Sequence, residues 1–402
     1  MPQISDAANR LIGQKMFQIL AKAQELERQG KEILHFEIGD PDFNTPENIV
    51  SACHESLKKG DTHYTASSGI FPLKVAFSEA MESGIRKFKP DIDQILVTPG
   101  ANSQIYYALA CGVNPGEEVI IPDPSFVSYN AIISFLGMKA VSVPLKEENE
   151  FRLNPDDVEK VITDKTKMII INSPNNPTGS VMKEDELRKI YELCEKNDIY
   201  LLSDEIYSRM IYKDRDNRYF SPSVIDKCKK HTILINGFSK SFAMTGWRLG
   251  ICCGPEEIIK KMGLLLESTT SCVSPFVQKA GIEALKGSQE PINNMMEEFS
   301  KRRDILVKGL NTLPGVSCIV PDGAFYAFCN IKKTGMGSEK FTEVMLNEAG
   351  VSTCPGNYFG DSGEGYVRFC YANSRENIKR GIDRMSYVLK KIVNNEKPYS
   401  EE

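Results

Sequence analysis

Residues 168–207 read MIIINSPNNPTGSVMKEDELRKIYELCEKNDIYLLSDEIY. An apolar run at 168–171 breaks at once into Asn, Pro and Gly, a stretch with apolar residues three and four apart follows over 183–196, and a second apolar run at 199–202 ends in Ser-Asp-Glu. Short apolar runs bounded by turn residues suit strands, and the periodic stretch between them suits a helix that carries the chain from one strand to the next. Working outward, 118–121 (EVII, then PDPSF) and 232–235 (TILI, then NGFSKSF) repeat the design. The alternation predicts an α/β fold, a mostly parallel sheet held between two layers of helices. Ligands of such sheets bind beyond the carboxyl ends of the strands, so the four polar tails are expected to converge on one site.

At 402 residues the chain is too long for one ordinary core. The sequence changes character near 287, where a helical stretch gives way to the β-like runs VSCIV, GAFYAFCNI and YVRFCY. A large domain over 49–286 and a smaller α+β domain over 287–402 are expected, the smaller one joined by an N-terminal segment, 1–48, that contains a helix at 16–29. With 41% hydrophobic and 26% charged residues the composition is that of a globular protein, and a net charge of −5 argues against a nucleic-acid partner, which would need a basic face. No run approaches the roughly 20 apolar residues that cross a bilayer, and MPQISDAANR lacks the features of a signal peptide, so a cytoplasmic, membrane-free protein is expected. The 11 cysteines form no CxxC pair, and Cys252 and Cys253 sit in an apolar stretch that reads as core; the four histidines are scattered and no metal site is legible.

The sharpest chemical signal is Lys240, in NGFSKSFAMTGWRLG, with Arg248 eight residues later. A lysine beside a fixed cation and partly removed from water can lose its proton near neutral pH and attack a carbonyl carbon. Such Schiff-base chemistry needs an electron sink that the protein must hold, protonate and anchor. Candidates for each task follow the predicted strands. Asp204 is placed to pair with a ring N–H, Tyr207 and Asn176 to donate to a ring oxygen, and Phe126 to stack on a ring face. Gly100-Ala101-Asn102 opens a helical stretch whose backbone N–H groups suit a phosphate, and Arg248 adds a planar fork. Singly, each has an ordinary explanation: a helix cap for Asp204, a turn for Asn176-Pro177 and Gly100, core for Phe126. Their weight lies in falling together at strand ends and covering every role one cofactor requires.

In this order and at these separations, PDPSFVSY, NSPNNPTG, SDEIYSRMIY, SKSFAMTGWRLG and VRFCYANS resemble the class I and II aminotransferases of pyridoxal-phosphate fold type I, from about Phe36 to the C-terminal helix. The resemblance implies pyridoxal 5′-phosphate as cofactor, carried as an internal aldimine on Lys240, which then moves the substrate proton. It gives Asp204 the pyridine nitrogen, Asn176 and Tyr207 the phenolic oxygen, and Ala101, Asn102, Ser239 and Arg248 the phosphate. Arg368 would clamp the substrate α-carboxylate, with the backbone of Gly39 close by. Tyr64, in HYTASSGIFPLK, matches a tyrosine lent across a dimer interface, which implies a homodimer with shared active sites. The implied reaction is ping-pong transfer of an amino group between an L-amino acid and a 2-oxo acid, in amino acid metabolism and biosynthesis. One departure stands out: many relatives carry a hydroxyl residue where this chain has Gly237, so the phosphate is expected to lose one hydrogen bond, worth about 1–2 kcal/mol.

A lyase or synthase of the same cofactor and fold would share these motifs and is the nearest alternative. A non-catalytic regulator would have little use for Lys240, Asp204, Arg248 and Arg368 together. A nicotinamide enzyme lacks its GxGxxG after an early strand, GDSGEG at 360–365 being too late and wrongly spaced. Substrate choice is expected to depend on 13–17 (GQKMF), 65–69 and 355–359, with Lys15 placed to meet an acidic substrate side chain.

Overall fold

The computed structural model describes residues 2–213 and 219–394. After a two-residue strand β1 (Leu34–His35), strands β2 (Ile95–Thr98), β3 (Glu118–Asp123), β4 (Lys139–Pro144), β5 (Thr166–Asn172), β6 (Tyr200–Asp204), β7 (Thr232–Gly237) and β8 (Gly250–Cys253) build one sheet in the order β2-β8-β7-β6-β5-β3-β4. Only β8 runs against its neighbours; β3, β4, β5, β6 and β7 pair in parallel. The central strands read as near-continuous apolar runs because parallel strands are covered on both faces. Alternate residues accordingly sort to opposite sides: Val119, Ile121, Met168, Ile170 and Leu202 enter one core cluster, while Ile120, Ile169, Ile171 and Leu201 enter another.

Helices close both faces. Among those that matter here are α1 (Met16–Arg28), α2 (Phe71–Ser83), α3 (Ala101–Gly112), α4 (Ser128–Phe135), α5 (Glu184–Asn197), α6 (Glu256–Thr270) and α7 (Pro275–Lys286). Helix α5 sends Leu187, Ile190, Tyr191 and Cys194 onto one face, α3 sends Ile105, Ala108 and Leu109 onto the other, and three glutamate or aspartate residues in the first turn of α5 suit the positive end of its dipole. Truncating a fully buried side chain such as Ile170 to alanine would cost about 2–5 kcal/mol. Cys252 and Cys253 are buried on opposite faces of β8, one in each flanking cluster, so they pack as small apolar residues, and burial pushes the Cys252 thiol up.

Beyond α7 come α8 (Glu290–Leu310), β9 (Ser317–Cys318), β10 (Tyr326–Asn330), β11 (Val351–Ser352), β12 (Cys354–Pro355), β13 (Tyr366–Cys370) and α9 (Arg375–Asn394). Four of these strands form an antiparallel sheet ordered β12-β13-β10-β9, and β11 pairs in parallel with β1. The N-terminal segment is therefore divided in its attachments. Leu34 and His35 join β11, whereas the Arg10 guanidinium bonds the carbonyls of Ser134 and Phe135, at the end of α4. No helix among the described residues is long and apolar enough to cross a membrane.

Candidate active site

Strands β5, β6 and β7 end in Asn172, Asp204 and Gly237, side by side at the carboxyl edge of the large sheet. Asp204 is 4% exposed. Its Oδ2 accepts a hydrogen bond from the Tyr129 hydroxyl at 2.6 Å and its Oδ1 one from the Ile206 N–H at 3.2 Å. Burial raises the carboxyl pKa to about 6, with those two bonds pulling the other way and Glu205 adding slightly to the rise. Among the described residues no cation pairs with it. A buried carboxylate lacking a counter-charge costs free energy unless something positive arrives.

Lys240 follows β7 by three residues, and its Nζ donates to the Gly39 carbonyl at 2.6 Å. The residue keeps some accessible surface because it faces a cavity, yet protein encloses its amine. Burial lowers its pKa to about 8; Arg368 and Arg248 lower it further and Asp40 opposes them. Burial is thus the main cause and the neighbouring cations a minor one, the reverse of the emphasis suggested by the spacing of Lys240 and Arg248. A Cβ at Gly237 would lie 3.1 Å from Ile206 Cδ1 and 3.3 Å from the Leu249 carbonyl oxygen, a close fit that favours the smaller residue there.

On one side of Lys240 lies an N–H-rich corner. Gly100 has φ 87°, in the left-handed region, and α3 begins at the next residue. A Cβ on Gly100 would come within 2.5 Å of Arg248 Nη2, so glycine also makes room for the guanidinium. Arg248, itself at φ 52°, donates through Nη1 to the Thr245 carbonyl at 2.8 Å, and Ser239 is buried nearby. The arrangement suits an anion at the first turn of a helix.

On the other side lies Arg368, in the middle of β13 and 1% exposed. Its Nη1 donates to Asn176 Oδ1 at 2.9 Å, its Nη2 to the Glu37 carbonyl, and its Nε is buried without a partner. The guanidinium lies between the rings of Tyr326 and Phe359, 4.7 and 4.6 Å from their centroids. Tyr326 shares a hydrogen bond of 2.7 Å with Tyr207, and its hydroxyl would stand 2.1 Å from a Cβ on Gly39, a contact only glycine permits. Burial pushes both tyrosine hydroxyls up in pKa, so they remain protonated donors.

One cavity of about 230 Å3 joins these parts. Gly39, Ala101, Asn102, Phe126, Asn176, Asp204, Tyr207, Ser239, Lys240, Arg248 and Arg368 all line it, so the tails of β3, β5, β6 and β7 do converge. Tyr64 does not line it and is 87% exposed. Sequence reasoning passed over Asn172, Tyr326 and Tyr129. Asn172 carried the same strand-end signal as Asp204; it holds Asn176 through a backbone N–H bond of 2.8 Å. Tyr129 and Tyr326 carried no signal beyond their aromatic character. Gln14, Met16 and Phe17 line the cavity, but Lys15 does not: its ammonium lies over the Tyr358 ring, 5.1 Å from the centroid. A larger hollow of about 990 Å3, beside Arg86 and Arg209, shares no lining residue with this cavity, so size alone does not mark the chemistry.

The family described as "Aminotransferase class I and II" matches residues 31–385. An aromatic-amino-acid aminotransferase 2 of Thermococcus litoralis is 42% identical over 365 residues, covering 90% of this chain and 93% of the relative. An aspartate aminotransferase of Pyrococcus abyssi is 42% identical over 362 residues, covering 90% and 92%. Among solved structures, the aspartate aminotransferase of Thermus thermophilus with maleate superposes with a TM-score of 0.91 at 34% identity, covering 96% of this chain and all of the other.

Proposed function

The chain belongs to the class I and II aminotransferase family, and on that premise we propose that it is an aminotransferase that holds pyridoxal 5′-phosphate in the cavity around Lys240 and works as a homodimer. The residues fit that group on their own chemistry. Buried Asp204 has no cation paired with it among the described residues and would gain one in a protonated pyridine nitrogen; Ala101, Asn102, Ser239 and Arg248 offer donors to a phosphate; Phe126 offers a ring to stack on. When bound, the cofactor supplies an electron sink that makes the substrate Cα–H acidic.

The protein's own groups do the rest. Lys240, with its pKa lowered to about 8, offers a fraction of neutral amine for attachment of the cofactor; freed from that attachment, it would be the base placed to take the substrate's Cα proton and deliver it to the cofactor carbon on the other side of the shared nitrogen. The Asn176 side chain, whose oxygen is committed to Arg368, would have its amide hydrogens left to donate to the cofactor's ring oxygen, and the Tyr207 hydroxyl would be a second donor to it. Arg368 lines the cavity with a guanidinium whose planar fork suits the α-carboxylate that every amino acid and 2-oxo acid shares. Two half-reactions then pass the amino group from an L-amino acid to a 2-oxo acid. In this reading, 49–286 is the large cofactor-binding domain, 287–402 the small domain, and 1–48 a segment shared with it. Tyr64, exposed on a single chain, is the residue offered to the partner's phosphate.

The observation that carries the reading is one cavity in which Lys240 stands with Asp204, a buried carboxylate lacking a counter-charge among the described residues, and Arg368, a buried arginine with one unpartnered N–H. Reduction with borohydride followed by peptide mass mapping tests it. A pyridoxyl group fixed to Lys240 is expected; attachment at another lysine, or none after incubation with the cofactor, would overturn it.

A further inference from the structure

Residues 34–37 form a short span wedged between β11 and the end of β13. The N–H of Leu34 bonds the Gly350 carbonyl and that of Phe36 the Ser352 carbonyl, both at 2.8 Å, while Phe36 returns its own carbonyl to the Cys370 N–H at 2.8 Å. Asn373 Nδ2 holds the His35 carbonyl at 2.9 Å. This span places the Glu37 carbonyl against Arg368 Nη2.

The two side chains of the span that carry charge face each other. His35 Nδ1 meets Glu37 Oε1 at 2.7 Å, and its Nε2 meets Glu27 Oε1, on α1, at 3.0 Å. Glu37 is fully buried, its second carboxylate oxygen has no partner, and His35 is the one cation bonded to its carboxylate among the described residues. The hydrogen bond to Glu37, with a further contribution from Glu27, raises the imidazole pKa to about 9, so at neutral pH the ring is a cation donating to both carboxylates.

We infer that His35 is a positioning residue for the substrate clamp: it engages the Glu37 carboxylate, so that Glu37 supports Arg368 through its backbone carbonyl alone and the guanidinium stays directed at the substrate α-carboxylate. Without the imidazolium, the buried carboxylate would have two unsatisfied oxygens, and the cation already bonded to the same residue is Arg368. A Glu37–Arg368 ion pair would neutralise the clamp. Because Glu27 lies on α1, whose first turn lends Met16 and Phe17 to the cavity lining, the same imidazole also links that helix to the span beside the clamp.

The inference rests on the reading of Arg368 as the clamp, and the experiment separates the two. In His35→Phe, KM for the amino donor is expected to rise about tenfold with kcat changed far less, and calorimetric affinity for succinate and 3-phenylpropionate, carboxylates without an α-amine, is expected to fall by a similar factor. The visible absorbance of the cofactor-loaded protein should not move. Adding Glu37→Gln to His35→Phe removes the competing charge and should restore both quantities; His35→Gln, which keeps one donor, should fall between. If His35→Phe leaves KM and carboxylate affinity unchanged, or if Glu37→Gln deepens the defect, the inference is wrong. If Arg368→Gln also leaves both unchanged, the clamp reading fails with it; if Arg368→Gln impairs both while His35→Phe does not, only the role of His35 is lost.

Discussion

The Asp204 end and the Arg368 end of the cavity are assembled by opposite means. At the Asp204 end, the functional side chains follow strands of one parallel sheet by a few residues each, so local sequence and position in space coincide: Asn176 after β5, Asp204 and Tyr207 at and after β6, Lys240 after β7. At the Arg368 end, Gly39, Tyr326 and Arg368 come from separate parts of the chain, and Arg368 occupies the middle of an antiparallel strand, with no loop to announce it. The first end can be assembled by one core of parallel strands; the second exists only when the N-terminal span, β10 and β13 have docked.

The comparison predicts different kinds of damage. Asp204→Asn should keep the fold and cost kcat about 10²–10³-fold, the scale of a lost preorganised charge at a reacting group, with KM little changed. Arg368→Lys should act mainly through KM, lowering kcat/KM about 10–100-fold, because an ammonium cannot present a planar fork. If Asp204→Asn instead raised KM while Arg368→Lys lowered kcat, the two ends would not divide the work as described.

A smaller effect belongs to Lys240. Burial lowers the pKa of its amine to about 8, so the neutral form grows as pH rises, and the penalty on folding, full below pH 8, declines above it and vanishes only beyond the ordinary lysine value. Capture of the cofactor by stripped protein should therefore accelerate roughly fivefold between pH 7 and 8 and level off above; a flat profile would deny the shift. Last comes the contact between chains. Mixing Lys240→Ala with Tyr64→Ala chains should recover about a quarter of the wild-type sites, since half the dimers are hybrids and each hybrid keeps one complete site. No recovery would remove Tyr64 from the partner's cavity.

The same contrast governs what could be read before any coordinates. The strand–helix alternation and the candidates Asn176, Asp204 and Lys240 were legible because an apolar run stops abruptly at each and polar residues begin. Arg368 was a lone arginine in a strand and gained a role only through resemblance to a family. Tyr129, the hydroxyl partner of Asp204, and Tyr326, which fills the space beside Gly39, could not be found because an aromatic in an apolar stretch reads as core. For Lys15, sequence gives the position of a charge on the chain but not the Tyr358 ring over which its ammonium lies.

The most direct test is the absorbance spectrum of the purified protein with pyridoxal 5′-phosphate, recorded before and after addition of glutamate, aspartate, alanine and tyrosine in turn. A visible band that is absent in Lys240→Ala and that gives way to the aminated cofactor's absorbance with at least one donor, 2-oxo acid appearing in equal amount, is the predicted result. No band with added cofactor, or a band that persists while ammonia and pyruvate accumulate, would contradict transamination at this site.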